Sequence, residues 1–425
     1  MKAKASLKQT KMEMVPKDWE EKQISDVCRI IREPFSPTGD NEKPYVGLEH
    51  IQQGTLTLTG IGKSSEVISN KFIFRKGQVL FGKLRPYFKK VIRASFDGVC
   101  STDIWVIDAK EGYDNRFIFY FFATQDIIDE ATNSSEGTKM PRASWDYLSK
   151  LKRQFPPFNE QIAIAEILLS LDNRIAINHQ MNITLKKIGQ ALFKHWFRDF
   201  EFPNEKGKPY KSSGGEMVYI EDIGQELPKG WKKGLVLDLV DHSKDTISPY
   251  DSSDKIFFHY SIPSYDEGKW PSMEKGNLIK SNKFLVKSNS ILVSKLNPRM
   301  PRVWAVGEVD ESCSVCSTEF QVLVPKKKWN YNYVYFSFNS GEITDEMKSL
   351  VTGTSSSHQR VRPEDMLNLK IAIPPEGVLQ KFEDISFCLR QKMWQMDIEN
   401  KYLCSIRDSF LPKLMSGKIR VGMAK

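Results

Sequence analysis

The sequence has no run of apolar residues close to the roughly 18 that predict a membrane-spanning helix. Residues 1–14 are polar and lysine-dotted and lack the apolar core of a signal peptide, so we expect a short flexible tail there. Cysteine is sparse, with 6 in 425 residues, which argues against a disulfide-stapled secreted scaffold. These absences predict a soluble cytoplasmic protein with reduced thiols and no membrane association.

Signatures of catalysis are also missing. Residues 59–64 (TGIGKS) end like a phosphate-binding P-loop, but Thr57 stands where that pattern needs its first glycine. Residues 155–158 (FPPF) resemble the Asp/Asn-Pro-Pro-aromatic loop of adenine methyltransferases, yet Phe155 cannot accept a hydrogen bond from a target amino group. The Cys-x-x-Cys pair at 313–316 has no histidines at finger spacing, so buried packing is favoured over zinc binding.

The composition is that of a folded, mildly basic protein. Its 62 Lys and Arg residues against 53 Asp and Glu give a formal charge of +9, which admits a polyanionic partner such as nucleic acid. Hydrophobic residues make up 40% of the chain, which excludes disorder over most of its length. A length of 425 residues predicts two or three domains.

An internal repeat decides the architecture. Residues 15–19 (VPKDW) recur as 227–231 (LPKGW), and Ser69–Phe72 returns unchanged as Ser281–Phe284, both shifted by 212 positions. Four further matches follow in the same order while the shift grows to 218: Val79–Pro86 with Ile291–Pro298, Cys100–Asp103 with Cys316–Glu319, Gly137–Thr138 with Gly353–Thr354, and Leu151–Pro157 with Leu369–Pro375. Ordered matches with so little drift predict a tandem duplication.

Each copy predicts a compact α/β domain followed by a long helix. Short β-rich runs and Gly, Pro or Asn turns fill residues 15–157 and 227–375. A double proline then opens an amphipathic stretch in each copy, predicting helices within 158–200 and 376–425 of roughly 60 Å each. Residues 201–226 are expected to form an exposed linker between the copies.

The two predicted helices carry apolar stripes that are expected to pair with each other. The stripe positions are Ile164, Leu168, Leu171, Ile175, Met181, Leu185, Ile188 and Leu192 in the first helix and Phe382, Ile385, Leu389, Met393, Met396, Leu403, Ile406 and Phe410 in the second. Asn178, Asn182 and Asn400 interrupt the stripes. One interpretation is that they face solvent or lie at a stutter in the heptad repeat. The other is that they lie in the seam between the helices and fix its register.

The order of these elements resembles the specificity (S) subunit of type I restriction–modification enzymes, over residues 15–417. Pro-Lys-x-Trp opens each domain, Val-Leu-Phe-Gly-Lys-Leu-Arg-Pro or its counterpart lies mid-domain, and Cys-Ser-Thr-Asp/Glu, a Gly-Thr loop and Pro-Pro follow. The resemblance implies a mixed α/β (α+β) fold. Two similar target-recognition domains would be joined by two long antiparallel helices that form a coiled-coil spacer with pseudo-two-fold symmetry.

The resemblance also implies a function. Each domain would read one half of a bipartite, asymmetric target in double-stranded DNA, and the helix pair would set the spacer length and dock two modification subunits and the restriction subunits. The chain would not be an enzyme, because adenine N6 methylation and DNA cleavage would belong to those partners. No cofactor is expected in this chain, whereas S-adenosylmethionine, ATP and Mg²⁺ are expected on the partner subunits.

DNA contacts are predicted at the basic mid-domain segments and at the Gly-Thr loops, because lysine and arginine suit phosphates and polar side chains suit base edges. A solvated charged face is the competing interpretation for the segments, and a simple turn is the competing interpretation for the loops. The predicted DNA-binding residues are Lys83, Arg85, Lys89, Lys90, Thr138, Lys139 and Arg142 in the first copy and Lys295, Arg299, Arg302, Thr354, Ser356, His358, Gln359 and Arg360 in the second.

Two other classes of function compete with this one. A stand-alone nuclease with an unrecognised site would cut DNA without partners. A coiled-coil scaffold that binds only protein would lack the salt-sensitive DNA affinity that phosphate contacts produce.

Overall fold

The computed structural model of the chain describes residues 16–37, 42–137, 139–221, 225–266, 268–351 and 359–421. It divides into two units: unit 1 contains Met1–Asn178 and Asp397–Lys425, and unit 2 contains His179–Met396. The predicted domains 15–157 and 227–375 each lie within one of these units. Each long helix gives one half to unit 1 and the other half to unit 2, because the helices pack on both domains.

Unit 1 begins with a mixed domain that leads into the first long helix. Its strands are β1 (Glu20–Gln23), β2 (Cys28–Ile31), β3 (Pro34–Phe35), β4 (Pro44–Val46), β5 (Gly62–Lys63), β6 (Lys71–Phe74), β7 (Val79–Gly82), β8 (Val91–Arg93), β9 (Gly98–Cys100), β10 (Ile104–Ala109) and β11 (Lys152–Phe155). Its helices are α1 (Ile24–Val27), α2 (Asn115–Phe122), α3 (Gln125–Asn133), α4 (Trp145–Leu148) and α5 (Phe158–Phe197), the last of which continues into unit 2.

Unit 2 has a domain of the same kind, preceded by a short hairpin. Its strands are β12 (Met217–Ile220), β13 (Gln225–Pro228), β14 (Lys232–Leu235), β15 (Val240–Ser243), β16 (Thr246–Ile247), β17 (Ile256–Tyr260), β18 (Ser272–Lys275), β19 (Lys283–Leu285), β20 (Ile291–Ser294), β21 (Val303–Ala305), β22 (Ser314–Cys316), β23 (Phe320–Pro325) and β24 (Lys370–Ile373). Its helices are α6 (Val236–Leu239), α7 (Ile262–Asp266), α8 (Tyr331–Phe338), α9 (Gly341–Ser349), α10 (Pro363–Leu367) and α11 (Glu376–Met415), the last of which continues into unit 1.

The two domains share one sheet topology. The order β2-β10-β7-β8 in unit 1 reappears as β15-β23-β20-β21 in unit 2, and β3-β6-β9-β4-β5 reappears as β16-β19-β22-β17-β18. In each five-stranded sheet the same pair is parallel, namely β4 with β9 and β17 with β22. This equivalence confirms the duplication. The β-rich runs predicted around Gln78–Phe81 and Phe320–Val324 form central strands, whose continuous apolar character fits burial on both faces.

The helix predictions are confirmed with shorter ends. Helices α5 and α11 contain 40 residues each and begin directly after the double prolines. They end at Phe197 and Met415, before the predicted limits of 200 and 425. In unit 1 the helices run antiparallel, because Asp172 contacts Arg407 while Asn178, further along α5, contacts Asn400. Among the described residues, none of the helices is long and apolar enough to cross a membrane.

The seam between the helices differs from the predicted apolar stripes. Ile164, Leu168, Phe382 and Met396 are buried as predicted. However, the stripe residues Met181, Ile188, Ile385, Ile406 and Phe410 are exposed. Their places on the buried side of α11 are taken in part by Ser386 and Arg407, which are 0% and 2% exposed. The apolar pattern of α11 identified only part of this buried side, because two of its buried positions, Ser386 and Arg407, are polar.

Two of the asparagines that interrupt the stripes, the buried Asn178 and the half-buried Asn400, bond to each other. Asn178 is 1% exposed, and its amide donates to the Asn400 Oδ1 atom and to the Glu399 Oε2 atom, each at 3.0 Å. The interpretation that places a polar group in the seam is therefore correct for Asn178 and Asn400. Such a pair is satisfied in only one alignment of the two helices, which favours a register role.

The Pro-Lys-x-Trp motifs pack against residues that lie just beyond the end of a long helix. In unit 1 the Trp19 indole N–H donates to Glu160 (3.1 Å), and Arg420, beyond the end of α11, pairs with Glu160 (2.8 Å) and Asp18 (2.7 Å). In unit 2 Trp231 packs against two aromatic rings located after α5. These rings belong to Phe200 and Phe202, which are 7% and 6% exposed. The predicted exposed linker is thus packed at its start, because these rings complete the core of unit 2.

Candidate nucleic-acid interface

One network of backbone hydrogen bonds at the end of β7 joins two predicted DNA-binding segments of unit 1. These are the basic segment that begins at Lys83 and the loop that ends at Arg142, which are far apart in sequence. The Lys83 N–H donates to the Asp103 carbonyl (2.9 Å), and the Lys83 carbonyl accepts from the Ala143 N–H (2.9 Å). The Arg85 N–H donates to the Pro141 carbonyl (2.8 Å). The basic segment therefore lies between the Cys-Ser-Thr-Asp turn and the Gly-Thr loop.

Unit 2 repeats this network at the end of β20. The Lys295 N–H donates to the Glu319 carbonyl (2.9 Å), and the Lys295 carbonyl accepts from the Val361 N–H (3.0 Å). The Asn297 N–H donates to the Gln359 carbonyl (2.8 Å). Segments that each copy spreads over some 60 residues are thus brought together in the same arrangement in both units.

An arginine–carboxylate ion pair closes the network in both units, and we call each of these pairs a clasp. In unit 1 Arg142 Nε lies 2.8 Å from Asp103 Oδ1, and Nη2 lies 3.3 Å from Oδ2. In unit 2 Arg360 Nη2 lies 3.0 Å from Glu319 Oε1, and Nε lies 3.1 Å from Oε2. Hydrogen bonding to the carboxylate raises the pKa of each arginine, so both guanidinium groups remain protonated.

The position occupied by Arg85 in unit 1 and Asn297 in unit 2 is defined by its backbone. Both residues have a φ of +50°, in the left-handed region that non-glycine residues rarely adopt. Asparagine tolerates this region better than arginine does. The replacement of arginine by asparagine therefore keeps the turn while changing the side chain that the turn carries.

The lysine at the centre of each network has no partner for its ammonium group among the described residues. Lys83 and Lys295 are both half-buried, and only their backbone atoms make hydrogen bonds there. Burial lowers the pKa of Lys83, and the nearby positive charges of Arg142 and Arg32 lower it further, against the opposing effect of Asp103. Lys83 also lines a cleft of about 290 Å³ together with Ile30, Ile31, Arg32, Phe72, Thr102, Ile104 and Trp105.

Comparison with known proteins identifies the class to which this geometry belongs. Residues 16–187 and 228–383 match the family described as the type I restriction modification DNA specificity domain. The chain belongs to this family. As a member of the DNA specificity family it has a sequence-specificity role in a type I restriction–modification complex, and that role is non-catalytic.

Relatives that match over almost their full length are named specificity subunits of type I restriction enzymes. The chain is 25% identical to the MjaIX specificity subunit of Methanocaldococcus jannaschii, covering 97% of this chain and 96% of the relative. It is 23% identical to the HindI specificity subunit of Haemophilus influenzae, covering 95% and 100%. The crystal structure of a type I S subunit from M. genitalium covers 98% of this chain and 99% of its own, at 16% identity and a TM-score of 0.53, which supports the fold.

Two of the predicted DNA-binding residues of this specificity chain are engaged inside unit 1. The Lys90 ammonium donates to the Leu48 carbonyl (2.6 Å), and burial lowers its pKa. Burial also lowers the pKa of Lys89, whose charge is close to those of Asp408 and Arg407 on α11. Both lysines help to pack the domain, so the network offers Lys83 and Arg85 as its available cations.

The remaining predicted residues fall into three groups. Lys139 and Arg299 are exposed, and Gln359 is half-buried and bonded through its backbone. Arg302 is paired with Asp266 at 2.8 Å through two nitrogens and has a side chain only 11% exposed, so it stabilises unit 2. Thr138, Thr354, Ser356 and His358 lie outside the described residues.

The acidic partners of the clasps were missed by the sequence interpretation. Asp103 and Glu319 were recognised only as parts of a repeated tetrapeptide, whereas Arg142 and Arg360 were assigned to DNA. The signal was present, because an acidic residue and an arginine are retained together in both copies. Arg32, in the cleft beside Lys83, was missed because the segment after β2 in which it lies carries no repeated motif.

The cysteines of the repeated tetrapeptides and their neighbour Cys313 are packed in the interior. Cys316 and Cys100 are 0% exposed, and burial raises the pKa of both thiols, that of Cys100 to about 12. Cys313 is buried too, and its Sγ donates to the Asp310 carbonyl. Within the described ranges, no group of three or more His, Cys, Asp or Glu side chains is arranged to hold a metal ion.

Proposed function

We propose that each unit reads one half of a bipartite, asymmetric target in double-stranded DNA. The observation that carries this proposal is the repeated network with its clasp, built twice on the same strands. A shared scaffold would present side chains to DNA in the same way in both units. Different side chains on that scaffold, such as Arg85 and Asn297, would then read different base pairs.

Affinity for DNA would come mainly from cations against phosphates. The network of unit 1 offers Lys83, Arg85 and Lys139, and that of unit 2 offers Lys295 and Arg299. The chain's charge of +9 favours association with DNA at a distance. Polar side chains at base edges would add specificity without dominating the binding energy.

The long helices are proposed to set the number of base pairs that remain unread between the two halves. Helices α5 and α11 each give residues to both units and contain 40 residues, for a length of about 60 Å each. One turn of B-DNA spans about 34–36 Å, so rods of this length suit two reading sites roughly one turn or more apart.

The exposed apolar side chains of the helices are proposed to bind two modification subunits. Large apolar residues exposed along one element are typical of protein interaction sites. Those on the helix segments of unit 1 are Phe158, Ile167, Ile177, Tyr402, Ile406 and Phe410, and those of unit 2 are Met181, Ile183, Ile188, Ile385, Phe387 and Trp394. We assign adenine N6 methylation with S-adenosylmethionine to the modification subunits. ATP- and Mg²⁺-dependent cleavage is assigned to restriction subunits in the same cytoplasmic complex.

Methylome sequencing of cells that carry this chain with its partner subunits tests the proposed function. We expect a methylated motif of two unlike parts separated by a fixed unread gap. Cells with the partner subunits but without this chain should lack the motif. A continuous motif, or one whose two parts are identical, would contradict the assignment of one half to each unit.

A further inference from the structure

We propose that Arg142 and Arg360 act through the clasps to position the segments 139–142 and 359–360, and that Lys83 and Lys295 bind the DNA phosphates. This inference rests on the proposed function and refines it. It differs from the sequence prediction, which gave the two arginines a direct contact with DNA. Three features of the network support it: the geometry of each guanidinium, the backbone bonds that hold its acidic partner residue, and the cation that is left available.

Each clasp guanidinium already binds a carboxylate through two of its N–H groups. Arginine binds a carboxylate or a phosphate through two parallel N–H groups, and both clasps use this arrangement within the chain. A phosphate could engage Arg142 or Arg360 in the same way only after displacing Asp103 or Glu319. The clasp is also electrically neutral, so it adds little to the attraction of a polyanion.

Global stability does not explain why both copies keep the clasp. The arginine side chains are 44% and 42% exposed in units 1 and 2. Ion pairs of this exposure contribute only about 0–1 kcal/mol to folding. A local role fits better, because each clasp joins the segment that ends at its arginine to the turn that precedes a central strand, across 39 residues in unit 1 and 41 in unit 2.

The residue that carries the carboxylate of each clasp is itself held in place through its backbone. The Asp103 N–H donates to Ser101 Oγ (3.2 Å), and the Glu319 N–H donates to Ser317 Oγ (3.3 Å). These turns lead directly into the buried strands β10 and β23. The loop arginine is therefore anchored to a rigid part of the domain, as a positioning residue requires.

Lys83 and Lys295 are the cations that the clasps leave available in equivalent places. Each lysine is fixed through its backbone between the clasp carboxylate residue and the residue after the clasp arginine. Its ammonium group has no partner within the described part of the chain. In unit 1 the lysine lines the cleft with Arg32 and Thr102, two more groups able to donate hydrogen bonds to a phosphate.

The lysines are tested by the salt dependence of DNA binding by the assembled complex. Each phosphate contact that is removed should reduce the slope of log K against log salt by about 0.9. We expect this change for Lys83→Gln and for Lys295→Gln separately. An unchanged slope in both variants would overturn the assignment of phosphate contacts to the lysines.

The clasp is tested by reversing its charges. Arg142→Asp should weaken binding by about tenfold, within the range of coupling energies between contacting residues. The double variant Asp103→Arg/Arg142→Asp should recover affinity and keep the wild-type salt slope, because the clasp is restored in reverse. If the double variant binds as weakly as Arg142→Asp, then Arg142 contacts DNA itself and the positioning role is wrong.

Controls separate this inference from folding and from the proposed function. Arg75 and Glu33 form another exposed ion pair of unit 1, at 2.7 Å, so Arg75→Asp provides a matched reversal that should leave DNA binding unchanged. Clasp variants of unit 1 should relax one half of the methylated motif, and Arg360→Asp should relax the other half. Absence of a bipartite motif in the wild type would refute the proposed function, whereas an unrestored double variant would refute only the clasp.

Discussion

The variant Arg407→Ala is expected to lower the free energy of unfolding of unit 1 by about 3–5 kcal/mol, the effect of breaking a buried ion pair. The Arg407 side chain is only 3% exposed, and its Nη1 lies 2.9 Å from Asp172 Oδ1. The other carboxylate oxygen of Asp172 accepts a hydrogen bond from the Tyr120 hydroxyl (2.6 Å). Removing the arginine leaves a carboxylate without its counter-ion where α5, α11 and the domain meet.

The matched control lies on the same two helices. Arg174 pairs with Glu399 at 2.8 Å, but its side chain is 54% exposed. Arg174→Ala should therefore change the free energy of unfolding by only about 0–1 kcal/mol. Hydrogen exchange of the α2 and α5 amides in unit 1 measures both effects. Equal losses for the two variants would contradict the buried role of Arg407.

Phe382→Ala is expected to destabilise unit 2 by about 3–5 kcal/mol, the usual effect of emptying a large aromatic site in a core. Phe382 is 0% exposed. Its ring centroid lies 4.8 Å from that of Phe197 on α5 and 6.0 Å from that of Phe336 on α8. The side chain therefore joins both long helices to the domain, and its loss opens a cavity among all three.

Phe387→Ala makes the same substitution on the exposed side of α11. Phe387 is 39% exposed and stacks only loosely on Arg390, at 5.2 Å from the ring centroid. We expect it to change the free energy of unfolding by less than about 1 kcal/mol. The free energy of unfolding of the two variants can be compared by urea denaturation, monitored through hydrogen exchange of the α8 amides. A loss at Phe387 as large as that at Phe382 would show that the core of unit 2 is wrongly identified.

The sequence was sufficient to predict the fold because local patterns and the repeat agreed. Short apolar runs at 78–81 and 320–324 marked central strands, and the double prolines marked the starts of the helices. The ordered matches required the two domains to share a topology, as their sheets do. These features are encoded over a few residues or by repetition, so they can be recognised without knowing which distant residues meet.

The partners of the helices could not be predicted in the same way. An apolar stripe requires burial but does not specify which residues cover it. The stripes therefore did not show that each long helix is divided between the two units. The buried side of α11 also includes Arg407, which becomes acceptable there only because Asp172 lies opposite. Asn178 illustrates the same limit, because its burial depends on the position of Asn400.

The candidate site was predicted in part. Lys83 and Arg142 were recognised from their motifs, but their association depends on Asp103, which lies 39 residues before the arginine. The sequence of one copy alone does not indicate that Asp103 and Arg142 pair. A comparison of the two copies does indicate it, because both retain an acidic residue and an arginine in equivalent places.

The central claim is that paired helices determine the distance between two DNA-reading units, and inserting one heptad into both helices tests it most directly. The insertions follow Asn178 in α5 and Met396 in α11, at the boundaries of the two units. Seven residues add about 10 Å of helix, or roughly three base pairs of B-DNA. Methylome sequencing should show both half-sites unchanged and the unread gap longer by about three base pairs. An unchanged gap, or altered half-sites, would contradict the account.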